Sequence, residues 1–261
     1  MDLGLKDNVI VVTGGAAGIG AAITEACLSE GASVVVVGRM SAIAQQFAEK
    51  KKAAGAACEF FEAQLADVAQ CENAMTFVRQ RFGRMDGLVN NAGANDGVGL
   101  ENGSPIRFEE SLRQNLLHYY SMAHFGLPML KEVHGSIVNI SSKVALTGQG
   151  GTSAYAASKG AQLALTREWA AELSPYGVRV NSILPAEVWT PLYERWINTQ
   201  ANPAEALSKI QERIPLGHRM TEAREIAAMT VFLLSNKVSG HTTAQHLVVD
   251  GGYTHLDRAL T

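Results

Sequence analysis

The sequence lacks the features that would tie a chain to a membrane, a metal or a nucleic acid. No apolar run approaches the ~20 residues needed to cross a bilayer, so no spanning helix is expected. The three cysteines, Cys27, Cys58 and Cys71, are odd in number and show no C-x-x-C spacing. They are expected to be small apolar fillers in a reducing cytoplasm, not a disulfide framework. The seven histidines have no ligand spacing, and no metal site is expected. Lysine and arginine total 22 against 25 acidic residues, and the net charge of −3 leaves no basic footprint for nucleic acid or an anionic membrane. The opening MDLGLKDNVIVVTGG carries a short apolar run that meets glycines at once, unlike a secretory signal. What remains is a 261-residue chain, 47% hydrophobic and 18% charged, with apolar material enough for a large core.

Short β-branched runs alternate with alanine-rich amphipathic stretches from end to end. Strands are expected at 9–13, 33–37, 58–62, 87–90, 136–140, 179–183 and 246–249, and helices at about 19–29, 41–54, 69–82, 108–131, 153–173 and 222–234. Several strands are near-continuous apolar runs, as in parallel sheets covered on both faces. The order predicts an α/β fold: one doubly wound, Rossmann-like parallel sheet with helices on both faces, spanning 1–261 as a single domain. The segment 185–220 is the least regular and too long for a plain connection, so it is expected to be a substrate loop or lid.

The first strand ends in Thr13-Gly14-Gly15-Ala16-Ala17-Gly18-Ile19-Gly20 and runs into a helix. Glycines there let the backbone approach a pyrophosphate held at the helix N-terminus, where free N–H groups and the dipole favour an anion. The second strand ends Val37-Gly38-Arg39, with a guanidinium where a ribose-binding carboxylate would mark NAD. NADP is therefore favoured, with NAD left open. Asn90-Asn91-Ala92-Gly93 closes the fourth strand, where its amides can pin neighbouring strands and its glycine lets a cofactor pass. Ser153-Ala154-Tyr155-Ala156-Ala157-Ser158-Lys159 opens a helix and places Tyr155 and Lys159 on one face. A free phenol with a pKa near ~10 is a poor base at neutral pH, and a neighbouring ammonium is expected to lower it. Tyr155 can then take the proton of a hydroxyl whose carbon loses hydride. The glycine turn, Arg39, NNAG, Ser141-Ser142 and Pro185 all follow strands, and ligands of open parallel sheets bind at that rim.

In this order and combination, T-G-x-x-x-G-x-G, N-N-A-G, a helical Asn, Ser, Y-x-x-x-K and a Pro turn resemble the short-chain dehydrogenase/reductase family over essentially the whole chain. The resemblance implies strand order 3-2-1-4-5-6-7 and a catalytic tetrad of Asn115, Ser142, Tyr155 and Lys159. Ser142 is chosen over Ser141 because it lies at the family's usual separation from Tyr155. Ser142 would orient the substrate oxygen, Lys159 would hold the nicotinamide ribose, and Asn115 would anchor a proton-relay water. The implied cofactor contacts are Gly14, Gly18, Ile19, Gly20, Arg39, Leu65, Asn91, Ala92, Gly93, Tyr155, Lys159, Pro185, Val188 and Thr190. Two positions depart from the pattern: Ala186 replaces a glycine, and Gln64-Leu65 stands where an Asp-Val or Asp-Leu pair is usual.

The runs 174–181, 188–192 and 215–220 are more closely similar to members acting as L-fucose dehydrogenases, one of them also classed with the 17β-hydroxysteroid dehydrogenases. The lid residues Glu187, Trp189, Tyr193, Glu194, Arg195 and Trp196 suit a sugar, since aromatic faces cover C–H faces and charged groups bind hydroxyls. A steroid would call for a more continuous apolar lining. The candidate substrate set is Ser142, Gln149, Tyr155, Glu187, Trp189 and Trp196. The leading expectation is oxidation of an aldose such as L-fucose to its lactone, with 3-oxoacyl thioester reduction and hydroxysteroid oxidation as alternatives. A non-catalytic dinucleotide-binding scaffold is the reading from outside the enzymes, but no tetrad member is missing. The resemblance also implies a homotetramer, joined through the fourth and fifth helices.

Overall fold

The computed structural model describes residues 1–256, and the last residues of the expected 1–261 domain lie outside the described residues. Seven parallel strands form one sheet: β1 (Val9–Thr13), β2 (Ser33–Gly38), β3 (Cys58–Glu62), β4 (Gly87–Asn90), β5 (Ser136–Ile140), β6 (Arg179–Pro185) and β9 (His246–Val249). Their order is β3-β2-β1-β4-β5-β6-β9, the expected doubly wound arrangement with β9 as the seventh strand. Two extra strands, β7 (Val188–Trp189) and β8 (Thr221–Glu222), pair with each other between β6 and β9 in sequence.

The alternation of side chains along each strand divides the core in two. Val9 and Val11 of β1, with Val35 and Val37 of β2, face α3 (Val68–Phe82), α5 (His118–Val133) and α6 (Ser153–Leu173), meeting Met75, Val78, Met122 and Leu173. Ile10, Val12, Val34 and Val36 face the other way, onto Ile23 and Cys27 of α1 (Gly18–Ser29) and Ile226 and Val231 of α9 (Ala223–Leu234). Both faces of these strands are dry, so the hydrophobic runs carry no polar alternation. All three cysteines are free; Cys27 and Cys71 are buried and Cys58 is half-buried.

The single helix expected over 108–131 is divided. Ser104 accepts a hydrogen bond from the Arg107 N–H and Pro105 follows, so α4 (Pro105–Leu112) starts earlier than hydrophobic periodicity alone suggests. A π-helical turn over Arg113–Leu117 then separates α4 from α5. The lid segment also holds more regular structure than expected. Thr190-Pro191 and Asn202-Pro203 are cap-plus-proline starts for α7 (Pro191–Ile197) and α8 (Pro203–Glu212).

Candidate active site

The glycine turn after β1 is shaped by backbone demand. Gly14 and Gly18 have φ of +64° and +53°, left-handed values that favour glycine. At Gly20 a Cβ would lie 2.2 Å from the Gly14 carbonyl oxygen, so only glycine lets the helix start so close to the turn. Ala17, the residue before α1, has no side chain able to cap, and the first-turn N–H groups near Ile19 are left for an anion. This uncapped terminus and its glycine cradle fit the pyrophosphate of a dinucleotide. The 185–220 segment approaches the same place, since a Cβ on Gly18 would meet Thr190 Cγ2 at 3.4 Å. Thr190 itself caps α7 by accepting from the Tyr193 N–H at 3.2 Å.

Arg39 is exposed after β2 and has no hydrogen bond or ion pair among the described residues. Its neighbour Gly38 packs against Gly14, so the guanidinium springs from beside the glycine turn. Leu65 is half-buried, packs onto the core and accepts from the Cys71 thiol through its carbonyl.

The NNAG amides stitch strands together as expected. Asn91 Nδ2 donates to the Thr13 carbonyl at 2.9 Å, and the Asn91 and Ala92 N–H groups both reach Thr13 Oγ1. Asn90 Nδ2 donates to Asn139 Oδ1 on β5 at 3.0 Å. Gly93 leaves an opening between the turn and the tetrad: a Cβ there would lie 2.9 Å from Asn115 Oδ1 and 3.9 Å from Lys159 Nζ.

Asn115 sits in the π-helical turn, fully buried. Its Oδ1 accepts from the Ala94 N–H at 2.8 Å, and its Nδ2 donates to the Ser111 carbonyl at 3.1 Å. The two serines after β5 separate cleanly. Ser141 is buried and donates to the Lys159 carbonyl at 3.0 Å, a structural tie. Ser142 hydrogen-bonds the Tyr155 phenol, which favours the phenolate, but burial prevails and pushes Tyr155 up to about 12. The expected lowering by Lys159 is therefore absent in this state. Burial pulls Lys159 itself down to about 7, and its ammonium is spent elsewhere. Nζ donates to the Ile140 carbonyl at 2.8 Å, Gln162 Oε1 at 3.3 Å and the Tyr119 hydroxyl at 3.5 Å, and lies 5.4 Å from the centre of the Tyr155 ring.

Above this floor, Pro185 ends β6, Val188 is buried, and Glu187 points inward. Its carboxylate is held by an ion pair to Lys143 and by the Tyr193 hydroxyl, which donates to Oε2 at 2.7 Å. Lys143 also lies 4.0 Å from the centre of the Tyr253 ring. Trp189, Tyr193 and Trp196 form a chain of rings, with centroids 6.2 Å and 5.1 Å apart, and both indoles stay partly exposed. Gln149 is exposed in the loop before α6, away from these contacts. Sequence reasoning missed Lys143, Tyr119 and Gln162. Lys143 follows the chosen serine directly, and Gln162 is a polar residue one turn beyond Lys159 on a face otherwise buried.

The family model described as enoyl-(acyl carrier protein) reductase matches residues 14–254. The chain is 38% identical over 256 residues to the L-fucose dehydrogenase of Bos taurus, covering 94% of this chain and 88% of that one. It superposes on the crystal structure of Cj0485 dehydrogenase with a TM-score of 0.94 and 47% identity, over 100% of this chain and 99% of the other. The ligand-free aldohexose dehydrogenase of Thermoplasma acidophilum aligns with a TM-score of 0.89 at 28% identity, over 99% and 98% of the two chains.

Proposed function

The chain belongs to the short-chain dehydrogenase/reductase family and is an oxidoreductase using a nicotinamide dinucleotide, and from that premise we propose that it oxidises the anomeric hydroxyl of an aldose, L-fucose first, to the lactone. The observation that carries the reading is the Lys143–Glu187 ion pair, which ties the residue next to Ser142, itself hydrogen-bonded to Tyr155, to a segment bearing that carboxylate and three aromatic rings. The likeness to an L-fucose dehydrogenase and an aldohexose dehydrogenase supports the sugar as substrate.

When bound, the oxidised nicotinamide supplies the hydride acceptor. The chain's own groups handle the proton. Tyr155 Oη accepts it from the substrate hydroxyl, and the Ser142 hydroxyl holds both oxygens in line. Lys159, freed from part of its present hydrogen bonding, holds the ribose and lends positive charge to the phenolate. The rings of Trp189, Tyr193 and Trp196 cover the sugar's C–H faces. Arg39 supports NADP as the preferred cofactor, because a guanidinium beside the glycine turn with no partner among the described residues suits a 2′-phosphate.

A panel of L-fucose, related aldoses, a hydroxysteroid and a 3-oxoacyl thioester, each run with NADP and NAD, tests the assignment by nicotinamide absorbance. Turnover restricted to the thioester or the steroid would sink the sugar reading and leave the family untouched. We also assign assembly as a homotetramer through the α4–α6 face, where Leu112, Leu116, Leu117, Tyr120 and Leu165 line a shallow open hollow of about 540 Å³. Light scattering would then give four times the 27.8 kDa chain mass.

A further inference from the structure

We infer that Gln162 is a positioning residue of the active site, its amide locked between the Asn115 carbonyl and the Lys159 ammonium so that its oxygen faces the lysine. The inference rests on Tyr155 and Lys159 being the reacting pair.

Gln162 is fully buried, one helical turn from Lys159 on the same face of α6. Its Nε2 donates to the Asn115 carbonyl at 2.8 Å, and its Oε1 accepts from Lys159 Nζ at 3.3 Å. A backbone carbonyl only accepts and an ammonium only donates, so the amide has one satisfying orientation. Rotated by half a turn, it would set nitrogen against ammonium and oxygen against carbonyl, two repulsions in a dry site.

The lock extends into the fold. The Gln162 carbonyl accepts from Thr166 Oγ1 at 2.7 Å, and that hydroxyl accepts from Asn139 Nδ2 at 3.0 Å. Asn139 Oδ1 in turn accepts from Asn90, at the end of β4. Asn115 is fixed independently, through Ala94 and Ser111. Gln162 thus joins the two anchored groups that flank the lysine.

Its chemical effect follows from what surrounds Lys159. The groups facing it are the Tyr155 and Tyr119 rings, the Tyr119 hydroxyl, the Ile140 carbonyl, and His118, which burial and Lys159 together hold neutral. None of them is a carboxylate. Among the described residues the ammonium is kept by neutral acceptors alone, and Gln162 is the side-chain amide that accepts from it. Removing that acceptor makes Lys159 give up its proton at lower pH and leaves the Tyr155 phenolate with less positive charge nearby. The pH–activity limb that Lys159 sets then moves down, and the limb that Tyr155 sets moves up.

The test uses the full chain, with Gln162→Met, which keeps the length and loses the amide, and Gln162→Glu, which sets a carboxyl against the lysine. The pH dependence of kcat/KM is measured with the aldose and cofactor turned over fastest. Tyrosinate absorbance, taken as the difference from the matching Tyr155→Phe protein, reports the phenol without substrate. Losing a hydrogen bond to a charged group is expected to lower the limb that Lys159 sets by ~1 to 2 pH units in Gln162→Met. Gln162→Glu is expected to raise it, so that variant alone decides if the methionine protein does not fold. Limbs that coincide with wild type in the soluble variants overturn the inference. Full activity in Tyr155→Phe would instead overturn the reading beneath it, so the two failures are distinguishable.

Discussion

Lys159, on the floor of the site, and Lys143, under its roof, meet burial in opposite ways. Among the described residues, Lys159 has a carbonyl, an amide and a phenol accepting from its nitrogen, and burial brings it down to about 7. Lys143 faces the Glu187 carboxylate, with the Tyr253 ring at its back. Burial first, and then Glu187, push the Tyr193 phenol far above its ordinary range, which leaves that hydroxyl a fixed donor. The floor lysine is poised to change its protonation near neutrality. The roof lysine, through its ion pair with Glu187, ties the body of the chain just after β5 to the 185–220 segment. One fold thus uses the same residue type as a proton-sensitive group and as a latch, and the neighbouring carboxylate makes the difference.

The largest effect that would sharpen this contrast is at the floor. Tyr155→Phe removes the proposed proton acceptor, and kcat is expected to fall by ~10² to 10⁴ while cofactor affinity, measured by fluorescence titration, is kept. Retained turnover would mean that the floor is not where the chemistry happens.

At the roof, Lys143→Met leaves the Glu187 carboxylate buried without its partner. The expected loss is about 3 kcal/mol in urea unfolding, and adding Glu187→Gln should recover most of it. A double variant as unstable as the sum of the singles would show that the two groups do not act as a latch.

A smaller effect separates the lysines by pH. Lys159 titrates near about 7 when folded and near its ordinary 10.5 when unfolded, so between those values the unfolded chain holds more protons. Stability of the apo-protein should therefore rise with pH in that window, by about 1.4 kcal/mol per unit from this group. Above about 9 the thiols oppose it. Burial raises Cys27 to about 12 and Cys58 and Cys71 to about 11, and the unfolded thiols ionise first. Urea titrations at pH 7, 8 and 9 should show the rise in wild type and a flatter line in Lys159→Met. Equal slopes would remove the claim that the floor ammonium is labile.

The sheet was largely legible because its strands are dry on both faces and announce themselves as apolar runs. Every expected main-sheet strand is present, with β2 and β6 running slightly longer. The long helix over 108–131 was misread because amphipathic periodicity passes through a π-helical turn without a visible break. Its start was readable in Ser104-Pro105, a local cap signal that the periodicity masked. In the lid, the cap-plus-proline pairs announced α7 and α8, whereas the β7–β8 pairing joins segments far apart in sequence and has no local signature.

The sequence by itself determined the glycine cradle, the Tyr155–Lys159 face and the rim they share. Each follows from what a backbone turn permits or from the helical repeat, and both are local properties. Tertiary structure alone decided that burial outweighs the ammonium at that phenol, and that Gln162 and Glu187 take fixed partners. Those outcomes depend on desolvation and on groups brought together from distant strands, and neither quantity exists until the chain has closed around the site.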